Sequence, residues 1–185
     1  MKRLDPKKTL VLVVDAQDRL AAAMPEPAMA DLVRSATILT EAADALGAPV
    51  LATEQYPQGL GPTIPAIKER LVRVGAPVLE KLEFSAVEAP GFAAAWEKSG
   101  ARAAVVIGME THVCVFQTVR ELVQRGIEVH VPIDGVASRR DDHRTTGLEL
   151  CRAAGAILTT SETVAFDWLR RAGGDAFKRV SKAVR

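Results

Sequence analysis

The chain has 185 residues, of which 48% are hydrophobic, so it is long enough to bury a core, and we expect one domain over residues 1–185. Its 24 Lys and Arg against 23 Asp and Glu give a net charge of +1, which favours a small-molecule partner over nucleic acid or a membrane. The first apolar run ends after about six residues, shorter than the roughly 7–15 of a signal peptide, and no later run is long enough to span a bilayer. Two cysteines form no disulfide framework, so we expect a cytoplasmic protein with free thiols.

Six short apolar runs, rich in β-branched residues, predict β-strands. They are almost continuously hydrophobic, as expected for strands of a parallel sheet that is covered on both faces. The predicted strands are 9–14, 49–53, 77–80, 103–107, 127–131 and 156–160.

Helical patterns lie between these runs. The first covers 32–46 and is followed by Gly47, a residue typical of a helix C-terminus. Further helices are predicted within 90–100, 113–125 and 141–155, the last with two aspartates in its first turn. This alternation predicts an α/β fold with a doubly wound, mostly parallel six-stranded sheet and helices on both faces.

The segment 54–63, with the sequence EQYPQGLGPT, contains two glycines and two prolines and is predicted to be an irregular loop. It follows the C-terminal end of a strand, where ligands bind in open α/β sheets. It is therefore a candidate pocket wall, although a plain surface connection is the alternative.

Three chemically reactive residues stand at the ends of predicted strands: Asp15, Lys81 and Cys114. A parallel sheet gathers such ends on one edge. Each residue also has a purely structural explanation: Asp15 as a helix N-cap, Lys81 as a solvated lysine and Cys114 as a buried apolar thiol. Because a position at a helix start lowers the pKa of a thiol, Cys114 is also a candidate nucleophile.

Five sequence blocks resemble the isochorismatase-like cysteine hydrolases, a superfamily that also contains nicotinamidases and carbamoylsarcosine amidases. The similarity runs from about residue 9 to 165 and is greatest to the isochorismatase-domain-containing group. It implies a three-layer, Rossmann-like sandwich. The blocks are VVDAQDRL, TEQYPQGLGPT, LEKLEFSAV, GMETHVCVFQT and DGVASRRDDHRTTGLELCRAAGAILTTSE.

The resemblance implies a catalytic triad in which Asp15 is the base, Lys81 supplies positive charge and Cys114 attacks a carbonyl carbon. The resulting thioester would be hydrolysed by water. The resemblance also implies an oxyanion hole formed by the backbone N–H groups of Glu110 and Cys114, with a cis peptide between Met109 and Glu110.

The sequence departs from the metal-using nicotinamidases of the superfamily. These carry an aspartate and two histidines after the second strand, whereas the segment 54–63 has neither residue type. The histidines at 112, 130 and 143 are too scattered to replace them, so we expect no metal and no cofactor. Isochorismate hydrolysis cleaves a vinyl ether, and enzymes of that branch can lack the cysteine, so Cys114 favours acyl chemistry.

Five side chains near the triad are candidates for substrate binding. For Phe84 and Phe116 the alternative is core packing, and for Gln17 it is a hydrogen bond at a helix start. We also expect an ion pair between Asp134 and Arg139 that supports the site. The candidates are Gln17, Gln55, Tyr56, Phe84 and Phe116.

The leading hypothesis is a cysteine hydrolase that cleaves an amide-type C–N bond of a small molecule. The alternatives are a binding or scaffolding protein that retains the triad residues, and a vinyl ether hydrolase of the isochorismate type. A dinucleotide-binding domain is disfavoured because DAQDRLAAAM, which follows the first strand, contains no G-x-G-x-x-G. The family resemblance also implies a homo-oligomer.

Overall fold

In this computed structural model, which describes residues 3–185, the strands form one parallel sheet in the order β3-β2-β1-β4-β5-β7, with β6 paired to β4. This confirms the predicted α/β sheet. The sheet has seven strands within the described residues rather than six, because the two residues of β6 are too few to form a recognisable apolar run. The strands are β1 Thr9–Val14, β2 Val50–Gln55, β3 Val78–Lys81, β4 Ala103–Met109, β5 Glu128–Pro132, β6 Val136–Ala137 and β7 Ile157–Thr159.

The four predicted helices correspond to α2, α5, α6 and α7. Helix α2 begins at Glu26 rather than at residue 32, with a proline in its first turn. The helices are α1 Asp18–Ala21, α2 Glu26–Leu46, α3 Pro57–Leu60, α4 Pro65–Arg73, α5 Phe92–Ser99, α6 Phe116–Gln124, α7 Asp141–Ala153, α8 Ser161–Leu169 and α9 Gly174–Val184.

The central strand β1 divides the core into two layers because its side chains alternate between the faces of the sheet. Val11 and Val13 pack with residues of α2, α4, α8 and α9. Leu10, Leu12 and Val14 pack on the opposite face with residues of α5, α6 and α7. Burial of each such side chain contributes about 1.5–3 kcal/mol.

The segment 54–63 is more ordered than the predicted irregular loop. Gln55 completes β2, the four residues of α3 follow, and Thr63 forms an antiparallel bridge with Gln17. The carboxylate of Glu54 accepts hydrogen bonds from the N–H and the Oγ1 of Thr63, at 2.6 and 2.7 Å. These bonds hold the segment against the end of the sheet.

The C-terminal helix α9 packs against α2 and buries Val180. Arg179 of α9 pairs with Glu41 and Asp44 of α2. Over residues 3–185, no helix combines the length and the apolar character needed to cross a membrane.

The direction of strand addition reverses between β1 and β4. The chain passes from β1 to β2 and β3 on one side, then returns to β4 on the other side of β1. Val14 is in register with Gly108 of β4, and a Cβ atom on Gly108 would collide with the Val14 backbone. Gln55 of β2 is in register with Lys81 of β3. The C-terminal ends of β1 to β4 therefore lie together at a point where open α/β sheets bind ligands.

Candidate active site

A buried ion pair between Asp15 and Lys81 forms the centre of the site. Asp15 directly follows β1 and has a positive φ of 49°, and Lys81 is the last residue of β3. The Nζ of Lys81 lies 2.6 Å from Oδ2 of Asp15, and both side chains are fully buried. The other carboxylate oxygen accepts a 2.7 Å hydrogen bond from Thr53 Oγ1. The carboxylate is thus fixed from two sides.

The ammonium group of Lys81 has further acceptors around it. Gln55 Oε1 lies at 2.7 Å, and the carbonyl oxygens of Phe84 and Glu83 lie at 3.0 and 3.2 Å. The amide nitrogen of Gln55 in turn donates to the carbonyl of Leu82 at 2.6 Å. These contacts compensate the buried charge and hold it in one place.

Cys114 lies in a π-helical turn, Thr111–Val115, between β4 and α6. The carbonyl of Glu110 accepts hydrogen bonds from the N–H groups of Val113 and Val115, which flank Cys114. The backbone N–H of Glu110 and the carboxylate of Asp15 both lie close enough to the Cys114 thiol to affect its pKa. The Met109–Glu110 peptide is cis, as the family resemblance implies. The structure therefore brings the three predicted triad residues together.

The turn that carries Cys114 is packed closely against α7. A Cβ atom on Gly147 of α7 would lie 2.7 Å from the backbone nitrogen of His112. The N–H of Thr111 donates to Ser138 Oγ at 3.1 Å, and the carbonyl of Cys114 accepts a 2.7 Å bond from Thr118. The backbone around the thiol is held on both sides.

Burial and, next in size, the negative charge of Asp15 raise the pKa of the Cys114 thiol to about 12. The charge of Lys81 and the N–H of Glu110 act in the opposite direction. The expectation that a helix start lowers this pKa is therefore wrong, because burial outweighs the helix terminus. Cys114 is a neutral thiol at pH 7 and needs a base before it can attack.

Asp15 has the properties of that base. Burial raises its pKa above the ordinary value of 3.8, against the opposing effects of Lys81, Thr53 and Cys114. A raised pKa makes the carboxylate a stronger proton acceptor than a surface aspartate. The carboxylate lies close enough to the Cys114 thiol for each group to affect the pKa of the other.

Gln17 and Gln55 hold the site together. The amide nitrogen of Gln17 donates to the carbonyls of Gln55 and Gly61 at 3.0 and 2.7 Å, and its oxygen accepts from the Gln55 N–H at 2.7 Å. The Gln55 side chain is occupied by Lys81 and Leu82. Both glutamines therefore position other groups of the site, and a substrate contact by either of them stays a prediction.

The three aromatic candidates lie near the surface. Tyr56 and Phe84 are 51% and 53% exposed, which excludes core packing for Phe84. Phe84 contacts the site through its backbone carbonyl, and Phe116 is half-buried with the guanidinium of Arg120 over its ring. A role for the three rings in lining a substrate pocket stays a prediction.

The expected ion pair between Asp134 and Arg139 is wrong. Arg139 instead pairs with Glu110, with Nε 2.8 Å from Oε1, while Asp134 accepts from the N–H of Ser161 at the start of α8. The contacts of Thr53 and Ser138 with the site were also not predicted. Within residues 3–185, no cluster of three or more His, Cys, Asp and Glu side chains is arranged to hold a metal ion.

The fold and the site together define a parallel α/β protein with a buried Asp–Lys pair beside a cysteine at the carboxyl ends of its strands. The isochorismatase domain model matches residues 9–163. The chain therefore belongs to the isochorismatase family.

Two relatives extend over nearly all of the chain. Isochorismatase domain-containing protein 2A from Mus musculus is 32% identical over 99% of this chain and 85% of its own length. Isochorismatase domain-containing protein 1 from Danio rerio is 34% identical over 98% of this chain, but the matched region is only 62% of that protein.

Solved structures share the fold. The MAR1 ribonuclease from Caenorhabditis elegans is 33% identical, with a TM-score of 0.89 over 99% of this chain and 92% of that one. The YcaC gene product from Escherichia coli is 24% identical, with a TM-score of 0.83 over 91% of this chain and 83% of that one, and is described as an octameric hydrolase of unknown specificity.

Proposed function

We propose that this protein is a cysteine hydrolase that cleaves an amide-type C–N bond of a small molecule. The observation that carries the proposal is the fully buried Asp15–Lys81 pair, whose carboxylate lies beside the Cys114 thiol. A binding or scaffolding protein has no need for a buried base beside a thiol.

In the proposed reaction, Asp15 takes the proton of Cys114 as the sulfur attacks the substrate carbonyl carbon. The N–H groups of Glu110 and Cys114 bind the oxyanion of the tetrahedral intermediate. Asp15 then gives the proton to the leaving amine, and a thioester forms. Water attacks the thioester with Asp15 again as base, which releases the carboxylic acid and restores the thiol. The ammonium group of Lys81 offsets the negative charge near the sulfur.

The vinyl ether hydrolase alternative is less well supported because that reaction offers the thiol no acyl carbon to attack. The ribonuclease activity of the C. elegans protein is not our proposal for this chain. A nuclease needs cations that are free to bind phosphate, whereas Lys81 is fully buried and engaged by Asp15, and the net charge is only +1.

We also propose that the chain is a single domain that acts in the cytoplasm as a homo-oligomer, without a metal or cofactor. The octameric state described for the E. coli neighbour is consistent with an oligomer. Size-exclusion chromatography with light scattering measures the assembly directly, and a monomer at micromolar concentration would contradict that part of the proposal.

A panel of primary amides and related small amides tests the proposed activity, with ammonia or amine release as the readout. The wild-type protein is compared with Cys114→Ala and with the matched control Cys151→Ala, which removes the other buried thiol. We expect turnover in the wild type and in Cys151→Ala only. Equal release by wild type and Cys114→Ala would reject the cysteine mechanism, and binding without release would favour a binding protein.

A further inference from the structure

We propose that Arg139 is a positioning residue that aims the backbone N–H of Glu110 at the oxyanion. The inference rests on the proposed function, because it concerns the acyl-transfer step of the same site. Arg139 does not itself touch the reacting atoms. It acts by holding the side chain of Glu110, whose backbone N–H lies beside the Cys114 thiol.

Three hydrogen bonds join Arg139 to the carboxylate of Glu110. Oε1 of Glu110 accepts from Nε and from the backbone N–H of Arg139, at 2.8 and 3.2 Å, and Oε2 accepts from Nη2 at 3.3 Å. The Glu110 side chain is almost fully buried, while the Arg139 side chain is more than half exposed. A forked guanidinium fixes the orientation of a carboxylate as well as its position.

The contact between Arg139 and Glu110 extends the pairing of β6 with β4 beyond the ends of these strands. Val136 and Ala137 are in register with Gly108 and Met109, Ser138 Oγ accepts from the N–H of Thr111, and Arg139 binds Glu110. Four consecutive residues, 136–139, thus hold the four residues 108–111 that lead into the π-helical turn. Of these four residues, Arg139 is the one that binds Glu110, whose backbone N–H is the proposed oxyanion donor.

Two reagents distinguish an effect on oxyanion stabilisation from an effect on the reactivity of the thiol. With p-nitrophenyl acetate, the sulfur attacks the ester carbonyl, the thiol proton passes to Asp15, and p-nitrophenolate leaves through a tetrahedral oxyanion. With iodoacetamide, the sulfur displaces iodide at a saturated carbon, and no oxyanion forms. A change in the aim of the Glu110 N–H should therefore slow the first reaction much more than the second, which this N–H affects only by lowering the thiol pKa.

The test compares Arg139→Met with the matched control Arg140→Met, which removes the neighbouring arginine and its exposed pair with Asp142. Removing an oxyanion donor costs about 10²–10³ in rate, so we expect a misaimed donor to cost roughly 10- to 100-fold in acetylation of Cys114. Alkylation should stay within about threefold of wild type, because it depends on thiolate formation and access. Arg140→Met should match wild type in both reactions.

Arg139→Lys provides a second test should Arg139→Met fold poorly. A lysine keeps the charge but lacks the fork, so it should recover only part of the acetylation rate. Equal losses of rate with both reagents would indicate a general structural role and overturn the inference. Acetylation of both Arg139 variants at the wild-type rate would also overturn it. No acetylation of Cys114 in the wild type itself would instead reject the proposed function.

Discussion

Lys81 and Asp15 lie 2.6 Å apart through their Nζ and Oδ2 atoms, although they belong to strands that are separated by β2. The pair is fully buried, so each charge depends on the other for compensation. The ion pair therefore affects folding stability, and its two charges also affect the reactivity of the nearby thiol.

Lys81→Met should lower the free energy of unfolding by about 3–5 kcal/mol and abolish activity, because it leaves the Asp15 carboxylate buried without a counter-charge. The double variant Asp15→Asn/Lys81→Met should recover part of the stability but no activity. Denaturant unfolding measures the stability, and Lys178→Met, which removes an exposed pair with Asp175, is the control and should change it little. A double variant less stable than Lys81→Met would contradict coupling of the two charges.

Asp15→Asn should shift the iodoacetamide labelling of Cys114 to lower pH. The negative charge of Asp15 raises the thiol pKa and Lys81 lowers it, so removal of Asp15 leaves only the lowering charge of this pair. More thiolate is then present at any pH below about 12, and alkylation becomes faster while hydrolysis, which needs the base, is lost. Labelling rates measured across pH test this, and a profile that is unchanged or moves to higher pH would contradict it.

Cys114 should be alkylated faster than Cys151 in the native protein. Burial raises the pKa of both thiols to about 12, so the difference comes from access. Cys114 is 6% exposed, whereas Cys151 is 0% exposed. Peptide mass spectrometry after short labelling times distinguishes the two sites, and equal labelling would contradict preferential access to Cys114.

Much of the site could be predicted because the apolar runs end in Asp15, Lys81 and just before Cys114, and a parallel sheet brings such ends together. The thiol pKa could not be predicted, because local sequence indicates a helix start but not the depth of burial. The Arg139–Glu110 pair was missed because it depends on β6, whose two residues carry no periodicity.

Gly147→Ala should reduce activity and destabilise the protein by about 1–3 kcal/mol, the usual cost of overpacking. The added Cβ would collide with backbone atoms of the turn that carries Cys114. Backbone atoms cannot move aside as the end of a flexible side chain can. Thr146→Ala, an exposed position on the same helix, is the control. Thermal unfolding and the rate of Cys114 acetylation give the two readouts, and wild-type values for both in Gly147→Ala would show that the turn tolerates displacement.

The most direct measurement is intact-protein mass spectrometry during reaction with p-nitrophenyl acetate, followed by peptide mapping. We expect rapid addition of one acetyl group to Cys114 in the wild type, slow loss of that group through hydrolysis, and no rapid acetylation of Cys114→Ala. Acetylation confined to surface lysines, at the same rate in both proteins, would contradict a thioester mechanism at Cys114.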